Sequence, residues 1–140
     1  MKNLPNFKGR CLSGAIKYEV AADPGKENAY FCGKCKRATG APVPSFFGVP
    51  RKRVASHDTP TVNASSDTVP RAFCQTCGTP MGYAGNGSTT WGLTAGTAGL
   101  SIPPDVVFYY DQHPKWIRSF SDLPKPDFDD AACGGNTITA

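Results

Sequence analysis

Apolar and polar positions alternate along residues 14–21: Ile16, Tyr18 and Val20 are separated by Lys17 and Glu19. This period of two predicts a strand with one buried face. Asp23-Pro24-Gly25 then marks a turn. Residues 29–32 form a short apolar run that delivers Cys32. Residues 36–40 predict about one helical turn, stopped by Gly40 and Pro42. Ser45, Phe46, Phe47, Gly48 and Val49 predict another strand, ended by Pro50. Residues 54–70 are polar, with Pro60 and Pro70, and predict a weak strand and loops. Residues 71–74 lead into a second cysteine pair. Residues 81–84 and 90–94 predict a hairpin around Gly85-Asn86-Gly87. Residues 106–110 predict a buried or half-buried strand. No long helical period runs through the chain, so the fold class expected is mainly β, loop-rich, with few short helices.

Composition agrees with this pattern. The chain has 140 residues, enough for one domain with its own core, and its 15 Gly and 13 Pro favour loops. The expected organisation is a single β domain over residues 1–124 and a flexible tail over 125–140, rich in Pro, Asp and Gly. Cys133 lies in that tail and reads as a free surface thiol. The formal charge of +4 is spread along the chain, and its densest run, Arg51-Lys52-Arg53, reads as a solvated loop. That is too diffuse for a nucleic-acid surface. No segment is apolar enough to span a membrane, and the first eight residues lack a signal-peptide core. The expected compartment is therefore cytoplasmic and reducing, with no nucleic-acid or membrane partner.

The cysteines carry the chemistry. Four of the six form Cys32-x-x-Cys35 and Cys74-x-x-Cys77, and Cys11 lies upstream. Two cysteines three apart can present both thiolates to one ion from a tight turn, and Gly78 after Cys77 lets the backbone fold back beneath it. Zinc is the expected ion. A closed four-sulfur site would be structural, whereas a site with an open position would polarise a bound carbonyl, water or thiol. Disulfides are disfavoured by the reducing compartment. A dithiol redox role is disfavoured because neither pair reads as lying between a strand and a helix.

Three motifs in order resemble one family. They are Gly9-x-Cys11-x-Ser13-Gly14, Cys32-x-x-Cys35-Lys36-Arg37-Ala38-Thr39-Gly40-Ala41-Pro42, and Arg71-x-Phe73-Cys74-x-x-Cys77-Gly78-Thr79-Pro80. Pro104, His113-Pro114 and Lys115-Trp116 resemble its C-terminal stretch. The family is that of the glutathione-dependent formaldehyde-activating enzymes, which includes centromere protein V. The resemblance implies a small zinc-binding β fold shared with the Rab guanine-nucleotide-release factor. It implies carbon–sulfur lyase chemistry on a glutathione-type adduct or small carbonyl compound, and up to two zinc ions. The structural ligands it implies are Cys11, Cys74 and Cys77, with Ser13 where the family has a fourth Cys. The catalytic ligands it implies are Cys32 and Cys35, with Tyr30 where the family has a third. Ser13 leaves water or a borrowed sulfur as the fourth ligand, and Tyr30 reads either as a phenolate donor or as core packing.

Other residues complete the expected site. Arg37 can fork onto a substrate carboxylate, or be a solvated cation. Thr39 and Gly40 can offer backbone N–H groups to substrate, or form a plain turn. Phe46 and Phe47 can wall an apolar pocket. His113 and His57 are proton carriers or surface residues, and Trp91 and Trp116 read as core or pocket wall. The leading expectation is a zinc-dependent carbon–sulfur lyase. The alternatives are a non-catalytic zinc-binding module, or a biosynthetic lyase or dehydratase that no longer uses glutathione.

Overall fold

The computed structural model describes residues 6–25, 27–98 and 103–126, with the side chains of 118–120 excepted. Cys133 and the tail beyond residue 126 lie outside the described residues. In chain order the elements are β1 (Phe7–Arg10), β2 (Lys17–Val20), β3 (Glu27–Tyr30), α1 (Gly33–Thr39), β4 (Ser45–Pro50), β5 (Val54–Ser56), β6 (Thr61–Ala64), β7 (Pro70–Phe73), β8 (Pro80–Tyr83), β9 (Thr90–Thr94) and β10 (Val106–Phe108). The fold is mainly β, as the alternation predicts.

The strands form two sheets. A three-stranded sheet has the order β1-β2-β5, and a seven-stranded sheet the order β10-β3-β4-β9-β8-β7-β6. Pairing is antiparallel except for β10 against β3. In β2 the period of two does what it predicts: Tyr18 and Val20 point inward and Lys17 outward. Phe7, Tyr18 and Val20 of the small sheet meet Phe47, Val49, Met81 and Leu93 of the large one in a single core. Phe7 and Phe47 pack edge to face, with centroids 5.3 Å apart. Each fully buried side chain of this size contributes about 1.5–3 kcal/mol by leaving water.

Two expectations need correction. Helix α1 starts at Gly33, three residues earlier than expected, so Cys32-x-x-Cys35 does lie between a strand and a helix. Cys32 caps the helix itself, its Sγ accepting from the Cys35 N–H at 3.3 Å. That cap replaces the Ser, Asp or Asn usually expected there, which is why the start was not legible. The second correction is β10. It is an edge strand whose Val107 and Phe108 are 43% and 42% exposed, not a buried one.

The face of the large sheet away from the core carries a row of rings. Phe108, Tyr30, Phe46 and Tyr83 pack in sequence, with centroids 5.1, 5.6 and 5.0 Å apart. Strand β9 lies between Phe46 on β4 and Tyr83 on β8, so those rings must cross it. Gly92 permits the crossing: a Cβ there would lie 2.9 Å from the Tyr83 ring. The expected result of Gly92→Ala is a loss of about 1–3 kcal/mol, the usual cost of overpacking. In a Tyr83→Ala background the same change should cost little, because no ring is struck. A double-mutant cycle by thermal or urea unfolding checks this, and equal costs in both backgrounds would remove Gly92 as the gate for Tyr83.

Candidate functional site

Two tight turns build a three-sulfur centre. After β1 the Gly14 N–H donates to the Cys11 carbonyl at 3.2 Å, and the Cys11 N–H donates to the Ile16 carbonyl at 3.0 Å. After β7 the Gly78 N–H donates to the Cys74 carbonyl at 2.7 Å, and the Cys74 N–H to the Thr79 carbonyl at 2.9 Å. Gly78 has φ +79°, a left-handed conformation that glycine adopts without steric cost. The turns converge so that the Sγ atoms of Cys11, Cys74 and Cys77 all lie within 4.8 Å of one another. A tetrahedral zinc with bonds of about 2.3 Å holds sulfurs about 3.8 Å apart. The group is therefore close to metal-binding geometry without any change of fold.

The donor chemistry agrees. Cys11 and Cys74 are each 1% exposed, and all three thiols are free of disulfides. The Ile16 N–H donates to Cys11 Sγ at 3.2 Å, and Ser13 Oγ lies 3.5 Å from the same sulfur. Burial pushes the Cys11 thiol up, but the hydrogen bonds from Ser13 and Ile16 outweigh it and the net shift is downward. Cys77 is held down at about 5, chiefly by the Thr79 hydroxyl 3.1 Å away and then by Ser13. Groups that favour thiolate favour a bound cation. This set can hold a metal ion, and the exposed Ser13 lies beside both Cys11 and Cys77.

The second pair is built differently. Cys32 is half-buried at the end of the β3 segment, and Cys35 is 6% exposed on the first turn of α1. Thr39 Oγ1 donates to the Cys35 carbonyl at 2.8 Å and accepts from the Ala41 N–H. Gly40 ends the helix at φ +72°, and its N–H donates to the Lys36 carbonyl at 2.8 Å. Among the described residues, no third Cys, His, Asp or Glu joins Cys32 and Cys35 in a metal-sized group. Tyr30 donates or accepts a hydrogen bond with the Tyr83 hydroxyl at 3.0 Å and stacks on Phe108. Its phenol is thus part of the ring row.

Cys35 instead meets a cation. Arg71 Nη2 donates to Cys35 Sγ at 3.5 Å, its Nε donates to Ser65 Oγ at 3.1 Å, and its guanidinium lies 5.4 Å over the Tyr83 ring. Burial pushes the Cys35 thiol up, reinforced by the neighbouring Cys32, and Arg71 opposes both without reversing them. Burial likewise pushes the Tyr83 hydroxyl up, so it stays neutral.

A cleft of about 790 Å³ opens between α1 and the β6–β7 edge. Lys34, Arg37 and Arg71 line it, with Thr39, Phe46 and Ser65, and among the described residues no acidic side chain does. It suits an anionic ligand with an apolar portion. Neither Cys32 nor Cys35 is in its wall; Arg71 joins the cleft to the sulfur behind it. Of the two phenylalanines expected to wall a pocket, Phe46 does so and Phe47 points into the core on the other face. His113 stacks on Tyr110 beside Phe31, outside the cleft, and His57 lies in a separate surface hollow. Trp91 lies under the Arg51 guanidinium, and Trp116 is 52% exposed. Arg71 and Tyr83 were not singled out from the sequence. The signal for Arg71 was its place in Arg71-x-Phe73-Cys74, on the same face of β7 as the cleft. Tyr83 could be found only from its register opposite Arg71.

Comparison with known proteins agrees with this geometry. The family model described as glutathione-dependent formaldehyde-activating enzyme matches residues 6–112. An uncharacterized lyase of Schizosaccharomyces pombe is 27% identical over 81 residues, 58% of this chain and 59% of its own length. The match thus spans little more than half of that relative. A Rhodobacter sphaeroides protein of known crystal structure superposes with a TM-score of 0.51 at 21% identity, over 71% of this chain and 97% of its own. That likeness concerns the fold.

Proposed function

The chain belongs to the glutathione-dependent formaldehyde-activating enzyme family, and from that premise we propose that it is a zinc-dependent carbon–sulfur lyase-like protein of a reducing, cytoplasmic compartment. Its substrate is the adduct of a glutathione-type thiol with a small carbonyl compound. The observation that carries the proposal is the cationic cleft ending at Arg71, which touches Cys35.

Cys11, Cys74 and Cys77 would hold the zinc ion with Ser13 or water, and that ion supplies folding free energy and a fixed site geometry. Lys34 and Arg37, both exposed at the mouth of the cleft, receive the carboxylates of a peptide-like thiol. Phe46 offers the apolar wall. When the carbon–sulfur bond of such an adduct breaks, the departing sulfur takes the electron pair, the adduct hydroxyl becomes a carbonyl, and its proton passes through water to the released sulfur, giving the free thiol. Arg71 is the cation placed to stabilise that sulfur. Cys32 and Cys35 present two soft donors behind it, which suits a sulfur substrate. Thr39 fixes Cys35 through its backbone, and Gly40 ends the helix that carries Arg37.

The test is turnover of a hydroxymethyl-thiol adduct of glutathione, followed by NMR, with zinc counted per chain. Cys32→Ala/Cys35→Ala should lower turnover about a hundredfold or more while one zinc per chain remains. Unchanged turnover would remove the central pair from the reaction. One observation favours a second reading, a zinc-binding module without catalysis. Tyr30 stands at the position of a third ligand, yet its hydroxyl is engaged with Tyr83. Ligand binding in the cleft with no turnover of any thiol adduct would select that reading.

A further inference from the structure

The Cys32–Cys35 pair has features that a two-ligand metal site does not require. It lies on the first turn after β3, where residues three apart have Cα atoms separated by about 5–6 Å, the span a disulfide needs. The Cys35 N–H donates to Cys32 Sγ at 3.3 Å, which holds that sulfur over the turn. The two thiols differ in access: Cys32 is half-buried, Cys35 6% exposed. Both are free, and no third ligand joins them among the described residues. The three sulfurs of the other centre are held apart in their own cluster. The cleft beside α1 is lined by Lys34, Arg37 and Arg71 and, among the described residues, by no acidic side chain.

We propose that Cys32 and Cys35 are a dithiol–disulfide exchange site for low-molecular-weight disulfides of anionic, peptide-like thiols. The thiolate of the accessible Cys32 attacks one sulfur of the disulfide. A new sulfur–sulfur bond joins Cys32 to half of the ligand, and the other half leaves as a thiolate. Cys35 then attacks Cys32 Sγ and expels the second half. The two protons of the protein dithiol end on the two thiols released. The ligand disulfide gains two electrons and the protein pair loses two, becoming the Cys32–Cys35 disulfide. A thiol in excess reverses the sequence. Lys34 and Arg37, on the helix that Cys32 caps, hold the ligand's carboxylates from the adjoining cleft while its disulfide reaches Cys32 outside the cleft wall. This activity goes beyond the lyase reading and does not depend on it.

The sequence provides a clean readout. Trypsin cuts after Lys26, Lys34 and Lys36, so Cys32 and Cys35 fall on separate fragments, residues 27–34 and 35–36. Only a disulfide keeps those fragments together. The metal-loaded protein is equilibrated in buffers of reduced and oxidised glutathione, quenched with acid, alkylated, digested and weighed. The expected result is that the two fragments become linked as oxidised glutathione rises, and separate again with excess reduced glutathione, while the metal at the three-sulfur centre stays bound. In Cys35→Ser a glutathione adduct should accumulate on Cys32, and at least ten times faster than one forms on Cys35 in Cys32→Ser. Fragments that never link, links made instead to Cys11, Cys74 or Cys77, or faster reaction at Cys35 would each overturn the proposal. Lyase turnover is measured separately under excess reductant, where no disulfide persists, so failure of either activity leaves the other's result readable.

Discussion

Replacing Cys74 by Ala is expected to release the metal ion and lower the melting temperature by about 10–15 °C. The three-sulfur centre ties the turn after β1 to the turn after β7, two segments more than sixty residues apart and belonging to different sheets. An ion held by these three sulfurs would bind the folded arrangement far better than the unfolded chain, so its binding would add to stability by mass action. At free metal about a thousand times Kd the contribution is about 4 kcal/mol. For a domain of this size each kcal/mol moves the midpoint by roughly 3–4 °C. A strong chelator should have the same effect on the wild type and almost none on Cys74→Ala. That difference separates loss of the ion from the cavity left by a buried thiol, which costs stability in either case. Ser13→Cys should act in the opposite direction, slowing chelator-driven loss of metal by a hundredfold or more, because a thiolate replaces a neutral hydroxyl beside Cys11 and Cys77. Wild type that melts at the same temperature with and without chelator would show that the centre holds no stabilising ion.

The same comparison indicates which features of the chain are local. The turn at Cys74 is legible because Gly78 directly after Cys77 lets the backbone fold back beneath the sulfurs, whereas the turn at Cys11 was marked only by the family motif. The hairpin of β8 and β9 is legible because its Gly-Asn-Gly turn is flanked by apolar alternation. That Cys74 and Cys77 meet Cys11, and not Cys32 or Cys35, depends on β7 lying four strands from β3 in the large sheet. No spacing in the sequence encodes that order; the family resemblance supplied only the grouping of the cysteines. The start of α1 was hidden because a cysteine, a poor sequence marker for a cap, occupies the capping position. β10 reads as buried or half-buried because Val106, Val107 and Phe108 are apolar, but a parallel edge strand has a neighbour on one side only, and just Val106 is half-buried. The ring row was the least legible feature. It needs Gly92 to leave a gap between β4 and β8, and a glycine inside a strand reads equally well as a bulge.

Arg71→Met is expected to cost the cleft its activity while leaving the fold largely intact. The side chain is half-buried at the inner end of the cleft and serves three neighbours at once: Cys35 Sγ, Ser65 Oγ and the face of Tyr83. Methionine keeps most of the volume against Tyr83, so the loss of stability should stay within about 1–2 kcal/mol. The cation at the sulfur disappears. Removing one preorganised donor from a developing negative charge costs about 10²–10³ in rate, so kcat on a thiol adduct should fall by that factor with a smaller change in KM. Arg37→Ala should do the reverse. Arg37 is exposed at the mouth of the cleft, where a lost charge-assisted hydrogen bond of about 1.5–3 kcal/mol weakens ground-state binding, so KM rises roughly ten- to a hundredfold and kcat holds. Arg71→Lys restores charge but not the fork, since a single ammonium cannot replace the separate donors that Ser65 and Cys35 now share. It should recover only part of kcat. An Arg71→Met protein with unchanged kcat would place the departing sulfur elsewhere, and the link from cleft to Cys35 would then be structural. A parallel fall in kcat for Arg37→Ala would mean that the two arginines hold one and the same group of the substrate.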